Sequence, residues 1–184
     1  MYDIIIMVID MELIELFTTP DRKDYKCYEL LDSLLTNDEF FRNTILEGYK
    51  DGKIRGFDES MWENIKSQNI RANGTFEEVF KTGYNLGNCT GCSLQYSYSL
   101  DKPYICGGEL PILKGTPNSP DGRHTWIECD GKIIDTTLML VIDKSYVGRI
   151  GYYEENKYDP NMNPRYRAAK DFANDPEIRK GRNK

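Results

Sequence analysis

The stretch His124-Thr125-Trp126-Ile127-Glu128-Cys129-Asp130-Gly131-Lys132-Ile133-Ile134-Asp135-Thr136-Thr137 decides the reading of this chain. Residues 124 to 129 and 132 to 137 are two strand-like runs, and Asp130-Gly131 between them is a dipeptide that tolerates positive φ at both positions, as a two-residue hairpin turn requires. That turn sets the register: Trp126 opposite Asp135 and His124 opposite Thr137. His124 and Asp135 become diagonal neighbours on one face, close enough for their side chains to meet. His124, Trp126 and Glu128 then point one way, and Thr125, Ile127 and Cys129 the other. His124 is the only histidine in the chain.

Upstream, Gly87-Asn88-Cys89-Thr90-Gly91-Cys92-Ser93 reads as a loop entering a helix. Asn88 suits the N-cap, and Cys92, Leu94, Tyr96, Tyr98 and Leu100 supply the apolar positions of a largely buried helix. Cys89 falls in its first turn, where unsatisfied backbone amides and the positive end of the dipole favour a thiolate and can donate to an oxyanion. A thiol, an imidazole and a carboxylate are the groups cysteine-based acyl transfer needs: a nucleophile, the base that ionises it and the acid that orients the base.

These two segments resemble the bacterial transglutaminase-like superfamily. Gly-Asn-Cys-Thr-Gly-Cys-Ser is similar to its nucleophile helix, and His-Thr-Trp-Ile-Glu with the following Asp-Gly-Lys and Asp-Thr-Thr is similar to its histidine–aspartate hairpin. The order Cys, His, Asp agrees, and the match covers about residues 84 to 140. Ile133 and Ile134 stand where the family carries an aromatic, and Thr136 where it carries a proline. The resemblance implies an α+β fold, a papain-like transglutaminase core with a helical N-terminal half and the nucleophile helix packed on an antiparallel sheet. It also implies catalytic roles for Cys89, His124 and Asp135, with attack on a peptide or protein amide through a thioester and no cofactor or metal. Asn85, Asn88 and Trp126 lie close enough to the three to serve substrate binding or the oxyanion.

The same residues allow other chemistries. Cys89, Cys92, Cys106 and Cys129 could form a four-thiolate zinc module, but the second pair lacks the close spacing of a zinc knuckle. Cys89-x-x-Cys92 could be a thioredoxin-like redox pair, but no βαβ pattern surrounds it. An interaction module that keeps the fold without turnover is the third alternative. Cys27, Cys106 and Cys129 read as structural.

The chain has 184 residues, 39% hydrophobic, enough for one domain with a real core and too few for two typical ones. A net charge of −6 leaves no basic excess to neutralise phosphates, which argues against nucleic acid as a partner. Five cysteines, an odd number, favour a reducing compartment. The apolar run from Ile4 to Ile9 is too short to span a bilayer and lacks a basic lead-in, so the expected location is cytoplasmic, without a membrane partner.

Residues 3 to 17 allow either a buried strand or a short helix. Helices are expected at about 21 to 35, 38 to 50, 58 to 71 and 75 to 84, with stops at Asp51-Gly52 and Asn73-Gly74. Tyr104 to Lys114 should form a short strand entering a loop, and 115 to 122 a turn-rich loop bordering the cleft. Leu138 to Ile142 should extend the second hairpin strand, and Tyr152-Tyr153 should add another. A short helix is expected at 164 to 173 and a solvated basic tail at 174 to 184.

Overall fold

In the computed structural model, which describes residues 12–70 and 74–154, the front half is helical. After a 3₁₀ turn at Leu13–Leu16 come helices α1 (Cys27–Asn37) and α2 (Glu39–Lys50). The first begins later than expected. Residues 20 to 24 form successive turns, with Arg22 drawn inward, its guanidinium 4.7 Å from the Trp62 ring and bonded to Glu59 at 3.1 Å. Once α1 starts, Cys27, Tyr28, Leu31, Leu34 and Leu35 recur at helical spacing and are buried. Asp38 caps α2 by accepting from the Phe41 amide at 2.7 Å. The Asp51-Gly52 stop holds, with Gly52 at φ 66°.

Strand β1 (Ile54–Gly56) follows, then α3 (Glu59–Ser67), capped by Asp58 on the Met61 amide at 3.0 Å. This helix ends at Ser67 instead of continuing to 71, because β2 (Asn69–Ile70) pairs with β3 (Gly74–Thr75) in a small ribbon. Thr75 then caps α4 (Phe76–Thr82), which closes on Gly83 at φ 81°. Trp62 of α3 meets Phe80 of α4 edge to face, which joins the two helices, and Phe76 packs edge to face on Phe80 within α4.

The second half is mainly strand. Helix α5 (Cys89–Ser97) precedes β4 (Tyr104–Glu109), β5 (Arg123–Cys129), β6 (Lys132–Asp135), β7 (Leu140–Asp143), α6 (Val147–Ile150) and β8 (Tyr153–Glu154). The fold is thus mixed α+β, with a six-stranded antiparallel sheet in the order β1-β7-β6-β5-β4-β8. Asp130 and Gly131 take φ of 49° and 72°, and Cys129 pairs with Lys132, Glu128 with Ile133 and Ile127 with Ile134. One step further, that register faces Trp126 with Asp135, as the turn dictates.

Leu138 to Ile142 does not extend β6. The strand stops at Asp135, whose carboxylate accepts the amides of Thr137 at 2.8 Å and Leu138 at 2.9 Å and so folds the chain into a turn. With Met139 at φ 57°, the chain reverses and β7 returns antiparallel to β6. Tyr153 pairs with Glu109 in β8, so the expected added strand is present. The residues before 12, the helix expected at 164 to 173 and the tail at 174 to 184 lie outside the described residues.

Candidate active site

Helix α5 delivers Cys89 at its first position, and the amide of Cys92 makes the first helical bond to the carbonyl of Asn88 at 3.0 Å. Asn88 occupies the N-cap backbone position, but its side chain makes no capping hydrogen bond. Instead the Asn88 amide lies across Gly91: a Cβ there would sit 2.6 Å from Asn88 Oδ1. The helix is shorter than expected and its inner face is not an aliphatic stripe. It ends at Ser97, with Cys92, Ser93, Tyr96 and Ser97 buried, while Leu94, Tyr98 and Leu100 are half-buried. Buried hydroxyls require partners, and the sheet supplies them. Thr90 Oγ1 meets Thr125 Oγ1 at 2.8 Å, and Ser93 Oγ donates to the Thr125 carbonyl at 3.2 Å.

His124 and Asp135 come from β5 and β6 and lie 1% and 0% exposed. His124 Nε2 meets Asp135 Oδ2 at 2.7 Å. On its other side the imidazole acts on the Cys89 thiol and favours its ionised form. The cysteine comes from the helix and the other two from the hairpin, and Cys89 and His124 line one space.

A fourth member was not legible in the sequence. The Tyr152 hydroxyl donates to Asp135 Oδ2 at 2.7 Å, so the buried carboxylate accepts four hydrogen bonds in all: His124, Tyr152, Thr137 N and Leu138 N. Tyr152 precedes β8 and reads locally as one more strand residue; only tertiary pairing brings it to the acid. Its ring lies 5.1 Å from that of Trp126, and the imidazole is 6.2 Å from Trp126 and 6.4 Å from Tyr152. Trp126, 1% exposed, is the floor under the imidazole. Asn85 is also fully buried, and its Nδ2 donates to the Thr136 carbonyl at 3.1 Å. That bond ties the loop before the thiol to the turn after the acid. Asn88 is exposed.

Electrostatics follow from this arrangement. Burial alone would keep the imidazole neutral, but the charge and hydrogen bond of Asp135, with Cys89 behind them, outweigh it and raise the ring's pKa to about 10. Burial likewise opposes ionisation of Asp135, and the imidazolium, the Leu138 amide and the Tyr152 hydroxyl hold it below the usual carboxylate value. For Cys89, burial is again the largest single influence and opposes the thiolate. The hydrogen bond and charge of His124, with the Thr125 hydroxyl and amide, more than offset it, and the thiol lies below its ordinary value. Cys92 has no such help: burial, then the charge of Cys89, pushes it up to about 12. Cys89 is half-buried and Cys92 is 1% exposed.

Cys89 and His124 open into a narrow space of about 20 Å³, lined by Gly87, Leu113, Asn118, Ser119 and Thr137 among others. The loop at 115 to 122 does border it, as its place before His124 suggests. The loop is braced at its base by the Leu110 amide on the Gly122 carbonyl at 2.8 Å and by Ser119 Oγ on the Arg123 carbonyl at 2.9 Å. A larger groove of about 470 Å³ between α2, Pro111–Lys114 and α6 contains none of the three groups, so volume does not mark the chemistry here.

Cys106 is buried in β4 opposite Trp126, and Cys129 lies at the far end of β5 with its Sγ on the Asp101 carbonyl. Among the described residues no three His, Cys, Asp or Glu side chains converge to hold a metal ion, and no helix is long and apolar enough to cross a membrane. Comparison with known proteins gives no family model, no curated protein and no solved structure that matches this chain.

Proposed function

We propose that this protein is a cysteine acyl-transfer enzyme with a papain-like, transglutaminase-like core, acting on a peptide or protein amide. The carrying observation is a Cys89 thiol that shares a space with His124 and is favoured as thiolate by it, while the ring is held by a carboxylate that accepts four hydrogen bonds. Cys89 attacks the amide carbonyl as a thiolate. The amides of the first turn of α5, which have no partner within the helix, face the developing oxyanion. His124, protonated in the resting pair, gives its proton to the leaving amine, and Asp135 holds the ring in the required tautomer and steadies its charge. A thioester on Cys89 remains. Water then yields hydrolysis or deamidation, and a second amine yields transamidation, with His124 taking the proton from either.

An odd number of cysteines, five, suits a reducing compartment and supports residence in the cytoplasm. A second reading, an interaction module without turnover, is favoured by one observation: a space of about 20 Å³ holds little more than a water molecule, so substrate entry requires the 115 to 122 loop to move. Intact-mass detection of covalent capture by electrophilic peptide probes separates the two. Wild type should acquire one adduct at Cys89 and Cys89→Ala none. Wild type that takes up no probe, with a thiol no faster than a free cysteine, sinks the enzyme.

A further inference from the structure

Cys92 has no part in that chemistry, yet it sits three residues after the nucleophile. Cys89 is the first residue of α5 and Cys92 the fourth, so both side chains leave the same face of the first turn. The two sulfurs are close enough for charge on Cys89 to act on Cys92. One thiol opens to the cleft and the other is sealed in the core. Cα atoms three apart in a helix fall inside the 4.4 to 6.8 Å range that a disulfide spans, and the side chains need only tighten that turn. Gly91, between them, carries no side chain to resist it, and the Asn88 amide across it is the flexible end of an exposed residue.

We propose that Cys89 and Cys92 form an oxidisable dithiol: a hydroperoxide oxidises Cys89, and Cys92 traps it as an intrahelical disulfide that reversibly blocks the nucleophile. The Cys89 thiolate attacks the terminal oxygen of the hydroperoxide. An S–O bond forms, the O–O bond breaks, and the departing alkoxide takes the proton of the His124 imidazolium and leaves as an alcohol. Cys92 then attacks the Cys89 sulfenic acid. The S–S bond forms, the S–O bond breaks, and the Cys92 proton leaves with the hydroxyl as water. Two thiols are oxidised to one disulfide and one hydroperoxide is reduced. A small-molecule dithiol reverses the change, whereas further oxidation of Cys89 to the sulfinate does not reverse. Burial protects Cys92 from the oxidant until its partner becomes electrophilic. The blocking of acyl transfer rests on the function proposed above; the disulfide itself does not.

The test treats full-length protein with hydrogen peroxide and follows intact mass, peptide maps and alkylation of Cys89. Wild type should lose two hydrogen atoms, map to a Cys89–Cys92 disulfide, and show alkylation of Cys89 slowed at least about tenfold and restored by dithiothreitol. Cys92→Ser and Cys92→Ala, each first shown to be folded by circular dichroism, should instead give a sulfenic acid that dimedone captures and then a sulfinate that dithiothreitol does not reverse. Wild type that proceeds to the sulfinate with Cys92 still reduced overturns the dithiol, as does a disulfide to any other cysteine. Peptide-probe capture on the reduced protein is read in parallel. A disulfide without capture leaves the dithiol standing and removes the acyl-transfer reading, and capture without a disulfide does the reverse.

Discussion

Asp135 is the residue on which the site and the sheet both depend, because its two oxygens serve different ends. Oδ1 takes the amides of Thr137 and Leu138 and turns the chain, while Oδ2 takes His124 and Tyr152 and sets the ring. Tyr152→Phe removes one donor from a buried anion, a hydrogen bond to a charged group worth about 1.5–3 kcal/mol. Urea unfolding at neutral pH should report a loss in that range, with Cys89 still alkylated preferentially over Cys92. Asp135→Asn should cost most of the turnover on any substrate that the peptide probes identify, because the ring loses both its tautomer and its charge partner. Near-normal turnover in that variant removes the triad. The pH dependence of stability has a definite sign. His124 is raised from 6.5 to about 10, so its favourable contribution is complete below 6.5, declines above it and is gone past about 10. Asp135 is lowered from 3.8, so its contribution is present above that value and is lost as the pH falls below it. The pH-dependent part of the stability difference between wild type and His124→Ala should therefore be greatest between the carboxylate range and 6.5. Thermal unfolding across pH checks this, and a difference that grows from neutrality toward pH 10 contradicts the charged pair.

At the scale of the element, two glycines make opposite predictions from similar close approaches. A Cβ on Gly56 would lie 1.7 Å from the Phe17 carbonyl oxygen, which is backbone and cannot step aside, so Gly56→Ala should cost on the order of 3 kcal/mol or more. A Cβ on Gly91 meets only the end of the Asn88 side chain, so Gly91→Ala should be neutral or stabilise α5 by up to about 1 kcal/mol. Denaturant midpoints of the two variants should move apart accordingly; equal losses in both contradict the reading of the Asn88 contact. The legible elements were those governed by short-range rules. Asp130-Gly131 dictated a turn and its register, the helices expected from 38 and 58 begin at the caps Asp38 and Asp58, and Cys89 fell at the head of its helix. What escaped was decided at a distance. Ile54–Gly56 becomes a strand only because β7 lies beside it, and α3 ends early because β2 finds β3. The stop after Asp135 came from a side chain competing for the backbone, which hydrophobic periodicity does not record. Tyr152 carried no local sign of its role.

For the molecule as a whole, the hydroxyl seam between α5 and β5 fixes the helix that carries Cys89 to the sheet at Thr125, next to His124. Thr125→Val removes the hydroxyl partner of Thr90 and one of the groups that favour the Cys89 thiolate. It should slow Cys89 alkylation near neutral pH by roughly threefold to tenfold while costing only about 1 kcal/mol of stability; unchanged alkylation across the pH range would separate the seam from the thiol. At one edge of the sheet β1 is only three residues long, which limits pairing with other chains there. The order of the parts along the chain bears on biosynthesis. The ribosome makes the thiol first, the imidazole next, then the carboxylate, and the phenol of Tyr152 last. A nascent chain arrested before β5 therefore carries an ordinary cysteine, without the imidazolium that ionises it, and the nucleophile becomes reactive only after the hairpin has emerged and docked on the helix. The order in which these groups emerge thus ties the lowered pKa of the thiol to the docking of the hairpin and not to the synthesis of the cysteine itself.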